Sequence, residues 1–178
     1  MSRPRSGTRQ RIQEVARDLF LQQGVQRTSL QDIADKLGIT KPALYYHFAS
    51  REDLVRSIVV PLIEEGEKFV ADQENLGYTD ARALLEGYFD FHYRHRDDLM
   101  LVLAELTMLA DLGLIDTVLA WRDRLGKLVF GARPTLAQST RAVVAFGGLQ
   151  DCCLQFPDTP YQALRATSVQ AALAALGG

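Results

Sequence analysis

The chain is poor in cysteine and has no long run of apolar residues. Its two cysteines, Cys152 and Cys153, are adjacent. A bridge between neighbours in a helical stretch would be strained, so the chain is not built on a disulfide framework. It has no stretch of about eighteen apolar residues and no apolar segment behind its first basic residues, so neither a membrane span nor a signal peptide is expected. We therefore expect a cytoplasmic protein.

The net charge of the chain is only -2, but it is unevenly distributed. Residues 1–56 carry ten Lys/Arg and six Asp/Glu, a net charge of +4, whereas residues 57–178 carry ten and sixteen, a net charge of -6. Four arginines without an acid among them open the chain: Arg3, Arg5, Arg9 and Arg11. Such an arm can reach phosphates or a minor groove, or can simply solubilise the chain.

Strand patterns are absent, and apolar residues recur at helical spacing along nearly the whole chain. The sequence predicts an all-α fold of about nine helices. We expect an N-terminal three-helix, helix-turn-helix domain at residues 1–49 and a C-terminal helical domain at residues 50–178. Among the later helices we expect one from Asp97 to Gly113 that turns Leu99, Val102, Leu103 and Leu106 inward.

Two short helices with defined ends follow the first one. Ser29 and Asp32 have the spacing of a capping box, which begins a helix. Gly38 can take the left-handed conformation that ends this helix, and Thr40 can cap the next. Helices joined by so tight a turn cross steeply, as in a helix-turn-helix.

The second of these helices has an apolar and a polar face. Leu44 anchors the apolar face, whereas Lys41, Tyr45, Tyr46 and His47 lie on the other. A cation, two phenols and an imidazole suit phosphates and base edges, although we expect one of the tyrosines to pack inward.

Several motifs in this region resemble those of one family. They are F-x-x-x-G at Phe20 to Gly24, T-S-x-x-D-I-A at Thr28 to Ala34, L-Y-Y-H-F at Leu44 to Phe48, and the following Leu54. Together they resemble the DNA-binding domain of the tetracycline-repressor (TetR) family, over about the first third of the chain. The resemblance implies a ligand-responsive transcriptional regulator that is not an enzyme. It would bind a palindromic operator as a homodimer, usually as a repressor, and be released by a small-molecule effector.

The resemblance also assigns roles within the DNA-binding region. It implies backbone-phosphate contacts for Thr28, Tyr45, His47 and Arg51, and positions nearer the base edges for Thr40, Lys41, Ala43 and Tyr46. In a two-fold dimer the two recognition helices would read half-sites about 34–36 Å apart.

The last two helices have apolar or small residues on nearly every face. Residues 142–149 read AVVAFGGL and residues 169–176 read VQAALAAL. Such helices need cover on two sides, which a second copy would supply, unless they are simply central in a monomer. The predicted interface comprises Val143, Val144, Gly147, Gly148, Val169, Ala172 and Leu176.

A set of large side chains falls on the predicted inner faces of the middle helices. It comprises Phe69, Tyr88, Phe89, His92, Tyr93, Met100, Leu103, Met108, Trp121 and Phe130. Stripes of this kind are usually core, and only the family resemblance makes them candidates to line an effector pocket.

Two alternatives to this regulator have different sequence requirements. An enzyme would have to use His92 and His95, beside Asp97, but the chain has no second ligand pair, phosphate loop or nucleophile elbow. We therefore expect no metal and no cofactor. An architectural DNA-binding protein without an effector would bind with strong salt dependence and little sequence preference.

Overall fold

The computed structural model describes residues 5–77, 80–105 and 109–177. Within these residues it contains nine α-helices and a short 3₁₀ turn at Ala110–Leu112, as expected of an all-α chain. The helices are α1 (Arg5–Gln23), α2 (Leu30–Leu37), α3 (Lys41–Tyr45), α4 (Arg51–Leu76), α5 (Ala81–Arg94), α6 (Arg96–Ala104), α7 (Leu114–Phe130), α8 (Leu136–Gln155) and α9 (Tyr161–Leu176). None of the described helices is long and apolar enough to cross a membrane.

The described residues divide into two compact units. Unit 1 lies within Met1–Ile63 and Asp97–Leu112, and unit 2 within Glu64–Arg96 and Gly113–Gly178. The segment from Asp97 to Leu112 thus interrupts unit 2 in the sequence. The domain boundary predicted at Ser50 stays a prediction.

Unit 1 contains the three-helix head formed by α1, α2 and α3. Ile12, Ala16 and Phe20 form the buried stripe of α1, and α2 packs against both α1 and α3. Leu44 and Phe48 are fully buried on the apolar face of the third helix and the turn that follows it. The core of the head therefore fixes which face of α3 is left exposed.

The predicted helix ends of the head are confirmed. Ser29 accepts a hydrogen bond from the Asp32 backbone N–H at 3.1 Å, and the Asp32 carboxylate accepts one from the Ser29 N–H at 2.8 Å. Hydrogen bonding of the Asp32 carboxylate to the backbone N–H and the side chain of Ser29 holds the pKa of Asp32 below its ordinary value. Gly38 closes α2 with a φ of 66°, where a side chain would be strained. Thr40 then caps α3 by accepting from the Ala43 N–H at 3.3 Å.

Helix α6 differs from its prediction in length and in orientation. It ends at Ala104 instead of reaching Gly113. Leu101 is its buried residue, whereas Leu103 is 49% exposed and Leu99 and Val102 are half-buried. The prediction was wrong for Leu103 and missed Leu101, because several registers of this leucine-rich helix present apolar residues to a core, and Leu106 lies outside the described residues.

Unit 2 is organised around α8, which packs against α5, α7 and α9. Phe146, Leu149 and Cys153 on α8 are buried, as are Leu85 and Phe89 on α5. Thr135 begins α8 with a capping box to Gln138 that the sequence analysis did not identify.

The second half of α4 is joined to α7 within unit 2. The Trp121 indole N–H donates to the Glu67 carboxylate at 2.8 Å. Arg124 pairs with both Glu67 and Glu74, at 2.7 and 2.6 Å. The ring of Trp121 covers Gly66 so closely that a Cβ there would overlap it. Glycine at this position is therefore required for the helices to approach.

Candidate nucleic-acid interface

The outer surface of α3 is formed by exposed side chains. Thr40, Lys41 and Ala43 are exposed, and His47 is half-buried. Tyr45 is 46% and Tyr46 70% exposed, so neither packs into the core and the expectation that one of them would do so was wrong. The fully buried Leu44 and Phe48 already fill the inner face.

This surface offers several kinds of hydrogen-bond donor. The Thr40 oxygen accepts from the backbone of Ala43, so its O–H stays available to donate. The ammonium of Lys41 lies 5.8 Å from the centre of the Tyr45 ring, within the range of a cation–π contact. The rings of Tyr46 and His47 meet edge to face, with centroids 5.4 Å apart. A cation and hydroxyls on one exposed helix face match the acceptors of DNA phosphates and base edges.

The arginines of the predicted basic arm behave differently from one another. Arg3 and the side chain of Arg5 lie outside the described residues. Arg9 belongs to α1 and donates to the carbonyl of His47 at 2.8 Å, while its guanidinium lies 4.2 Å from the centre of the Phe48 ring. Arg9 therefore holds the end of α3 in place, a role that spacing along the sequence does not reveal.

Thr28 is fully buried, although a phosphate contact was predicted for it. Its hydroxyl donates to the carbonyl of Gly24 at 2.9 Å and lies 3.2 Å from the amide nitrogen of Gln23. The side chain has no exposed atom for a phosphate in this conformation. We therefore correct its predicted role to a structural one, the closure of the loop between α1 and α2.

Arg51, the first residue of α4, is bound mainly to its own head. Its Nη1 lies 3.2 Å from the carbonyl oxygens of both Val25 and Gln26, and its Nη2 3.0 Å from the side-chain oxygen of Gln26. Ser50 caps the helix at this point by accepting from the Asp53 N–H at 3.0 Å. Few N–H groups of Arg51 are therefore left to donate to the phosphate predicted for it.

Five of the ten side chains predicted to line an effector pocket contact one another through their rings: Phe69, Tyr88, Phe89, His92 and Tyr93. Tyr88, Phe89, His92 and Trp121 are buried, whereas Met100 is 46% exposed and Leu103 is exposed as described above. Phe69, Tyr93 and Phe130 are half-buried, and Met108 lies outside the described residues. In this structure a ligand would have to displace aromatic rings that contact each other, such as Phe69 and Tyr88, whose centroids are 6.3 Å apart.

A polar chain crosses the buried part of unit 2. The Nδ1 of His92 lies 2.9 Å from the Tyr88 carbonyl oxygen, and Arg122 donates to the Gln150 amide oxygen at 2.9 Å. Burial lowers the pKa of His92 to about 4, and burial raises the pKa of Tyr88 to about 12. Both groups are therefore neutral at pH 7. Among the described residues, no group of three or more His, Cys, Asp or Glu side chains is placed to hold a metal.

Two depressions lie on the surface of unit 2, and neither is lined by the predicted pocket residues. One is an open groove of about 730 Å³ between α5 and α9, with Arg82, Glu86 and Arg165 at its edge. The other, of about 100 Å³, lies between α7 and α8 and is lined by Leu119, Arg122 and Val143 among others.

The predicted interface residues separate into two groups. On α8, Val143 and Val144 are 52% and 57% exposed, and Gly148 is exposed too. On α9, Val169, Ala172 and Leu176 are buried within the subunit, so they are not available to a partner and were assigned to the wrong face. Gly147 is half-buried, and a Cβ there would lie 3.4 Å from Arg122, which occupies the space we had expected a partner to use.

The head of unit 1 is a helix-turn-helix domain. Its capped helices α2 and α3 are joined through Gly38, and the polar face of α3 is exposed and free to enter a groove. Residues 12–58 match the model of the family described as "Bacterial regulatory proteins, tetR family". The head therefore carries the DNA-binding domain of this family, whose members are transcription regulators and not enzymes.

Individual relatives agree with this assignment. The transcriptional regulator AcrR of Shigella flexneri is 51% identical over 51 residues, which cover 29% of this chain and 24% of that protein. A TetR-like regulator from Rhodococcus sp. RHA1 superimposes with a TM-score of 0.77 at 21% identity, over 99% of this chain and 100% of the other. A regulator from Saccharomonospora viridis, solved in complex with choline, gives a TM-score of 0.68 at 19% identity, over 96% and 95%. The match to AcrR thus spans about a quarter of that relative, and the two structures share the fold.

Proposed function

We propose that the protein is a ligand-responsive transcriptional repressor that binds a palindromic operator as a homodimer. The observation that carries the DNA-binding part is the exposed polar face of α3, held rigidly by the buried Leu44 and Phe48 and by Arg9. Repression is favoured because several matched relatives are named repressors, although one is named an activator.

Within the interface we assign separate roles to neighbouring residues. The Tyr45 hydroxyl and His47 contact the phosphate backbone, whereas Thr40, Lys41, Ala43 and Tyr46 lie nearer the bases. Backbone contacts set affinity for every sequence, and base contacts set preference among sequences. Thr28 takes no part, because it is buried.

The dimer would form through the exposed face of α8. Val144 and Gly148 are one helical turn apart and both exposed, and an apolar residue beside a glycine suits close helix packing. Two heads related by a two-fold axis would then read two half-sites.

The effector would act by shifting the population between conformations. A ligand that binds unit 2 more tightly in one conformation favours that conformation, by no more than its difference in affinity. The structure of the Saccharomonospora viridis regulator in complex with choline supports this part of the proposal. In our chain the occupied core around His92 implies that such a ligand rearranges aromatic side chains.

The DNA-binding proposal is tested by selection followed by mutation. The full chain is used to select duplexes from a random-sequence pool, and a selected and an unrelated duplex are compared by fluorescence anisotropy. Tyr45→Phe keeps the ring beside Lys41 but loses the hydroxyl, and should weaken binding to both duplexes by the same three- to tenfold or so. Lys41→Ala should instead reduce the discrimination between them, by about tenfold.

Lys68→Ala serves as the matched control for charge. Lys68 is exposed in unit 2 and pairs with Asp72, so the change removes the same charge from the unit that does not contain α3. It should leave discrimination unchanged. Failure to enrich any sequence would refute the DNA-binding proposal, and uniform loss in both α3 variants would refute the assignment of roles.

A further inference from the structure

Both ends of one side-chain amide are held in unit 1. Gln26 lies in the loop between α1 and α2. Its oxygen accepts from Nη2 of Arg51 at 3.0 Å, and its nitrogen donates to the Glu105 carboxylate at 2.9 Å. Arg51 begins α4, and Glu105 directly follows α6. A single amide therefore links these two elements.

The partners leave this amide only one orientation. A guanidinium can only donate hydrogen bonds, and an ionised carboxylate can only accept them. Rotating the Gln26 amide by half a turn would place its NH₂ against Arg51 and its oxygen against Glu105, and both hydrogen bonds would be lost. Glu105 thus fixes which end of the amide faces Arg51.

Glu105 depends on this bond as well. Its side chain is buried, at 7% exposure, and Gln26 is its hydrogen-bond donor in the described structure. A buried carboxylate without a donor is costly. A displacement of α6 that stretched this bond would therefore be unfavourable, unless Gln26 moved with Glu105.

The bonds of Arg51 show what Gln26 controls. A guanidinium has five N–H groups. Those of Nη1 are directed to the Val25 and Gln26 carbonyls, and one of Nη2 to the Gln26 side chain. The Nε is buried and has no hydrogen-bond partner within the described residues. The second N–H of Nη2 makes no hydrogen bond within the described residues, although the exposed Glu52 carboxylate lies 3.7 Å from this nitrogen. A phosphate oxygen can accept from that N–H, and the Gln26 side chain stops the nitrogen from turning.

We propose that Gln26 is a positioning residue, through which Glu105 at the end of α6 sets the DNA-phosphate contact of Arg51. The inference rests on the DNA-binding function proposed above and adds a route of regulation to it. The segment Asp97–Leu112 lies in the chain between two segments of unit 2. Because α6 follows α5 directly in the chain, a conformational change in α5 is passed to α6 through the backbone. Glu105 then passes it through Gln26 to Arg51, although Glu105 itself does not contact DNA.

The test is a double-mutant cycle in the full chain, with the selected duplex as the probe. Anisotropy titrations over a range of salt concentrations give both affinity and the salt dependence, which reports the number of phosphates neutralised. Gln26→Met keeps the length of the side chain but removes both hydrogen bonds, and Arg51→Met removes the cation. Gln22→Met is the matched control, because Gln22 is exposed on α1 and makes no side-chain hydrogen bond in the described structure.

We expect Gln26→Met to lower affinity about tenfold and to reduce the salt dependence by about one phosphate contact per head, or about two per dimer, as Arg51→Met does. In the Arg51→Met background, Gln26→Met should change affinity by less than about twofold, because the contact it positions is gone. Gln22→Met should bind like the unmodified chain. A general loss of stability would lower affinity without this change in salt dependence.

Glu105 provides the second arm. Glu105→Gln keeps an oxygen that accepts from Gln26 and should bind DNA within about threefold of the unmodified chain, whereas Glu105→Leu should reproduce the effect of Gln26→Met. An unchanged salt dependence in Gln26→Met, or an equal loss with and without Arg51, would overturn the proposal. The duplex selection itself is the separate test of DNA binding, so the two failures are distinguishable.

Discussion

The buried imidazole of His92 makes the stability of unit 2 depend on pH. The side chain is 2% exposed, and its Nδ1 is 2.9 Å from the Tyr88 carbonyl oxygen. Burial lowers its pKa from 6.5 to about 4, because the protonated ring would lose its hydration. In the unfolded chain the ring regains its ordinary pKa, so the unfolded state binds the extra proton first as the pH falls.

The sign and size of the effect follow from this difference in pKa. Stability from His92 is fully present above about pH 6.5 and is lost progressively as the pH falls towards 4. Linkage gives a loss of about 2 kcal/mol at pH 5 and about 3 kcal/mol at pH 4. That is a large share of the 5–15 kcal/mol typical of a folded domain.

Urea unfolding followed by tryptophan fluorescence measures this loss. Trp121 is the chain's single tryptophan and lies in unit 2 with His92, so its signal reports the relevant unit. The profile of unfolding free energy against pH is compared with those of His92→Leu and His92→Gln at equal protein concentration. Two replacements are needed because each alters packing in its own way.

Both variants should lack the loss of stability that His92 causes as the pH falls. Between pH 7 and pH 5 the unfolding free energy of the unmodified chain should therefore fall by about 2 kcal/mol relative to that of each variant. Carboxylates whose pKa is lowered titrate in all three proteins, so their effects cancel in the comparison. One of them is Asp90: burial raises its pKa, but hydrogen bonds from Arg165 and Tyr161 outweigh burial and leave the pKa below its ordinary value. Parallel profiles over this range would refute the reasoning, since they would mean that His92 binds a proton as readily in the folded chain as in the unfolded chain.

Two further substitutions test packing and assembly. Gly66→Ala should destabilise unit 2 by about 1–3 kcal/mol, because the added methyl group would overlap Trp121; circular dichroism during thermal unfolding measures the loss. Gly7→Ala is the control, since Gly7 is a helical glycine with open space around it and its replacement should not destabilise the chain. Equal effects of the two changes would contradict the requirement for glycine at position 66. Val144→Glu should weaken the proposed dimer at least tenfold in sedimentation experiments, whereas Ile115→Glu, an equally apolar exposed position on α7, should not; an unchanged dimer in the first variant would exclude this face.

The features that sequence predicted well are those set by near neighbours in the chain. The capping box of Ser29 and Asp32, the turn at Gly38 and the cap at Thr40 each involve residues within three or four positions of one another. Their geometry depends on backbone bonds that form wherever the helix lies. The helix-turn-helix could therefore be located before its surroundings were known.

Orientation towards distant elements could not be predicted in the same way. On α9 small residues occupy nearly every face, so the sequence does not reveal that Val169 and Ala172 face their own subunit. Thr28 matches the family motif, yet its burial depends on how the loop folds over α1. Arg51 was expected at a phosphate, but the carbonyls that occupy its N–H groups belong to a loop some 25 residues earlier.

The position of Arg122 across Gly147 has a consequence for how this protein can vary. Part of the surface of α8 is made of a side chain that α7 contributes: a Cβ at Gly147 would touch the guanidinium of Arg122 at 3.4 Å, and a side chain that extends beyond Cβ would compete with it for space. The two positions are therefore constrained as a pair. Among related sequences, a larger residue at position 147 should occur together with a shorter one at position 122, and a change at either position alone should disturb the polar chain that leads through Gln150 into unit 2.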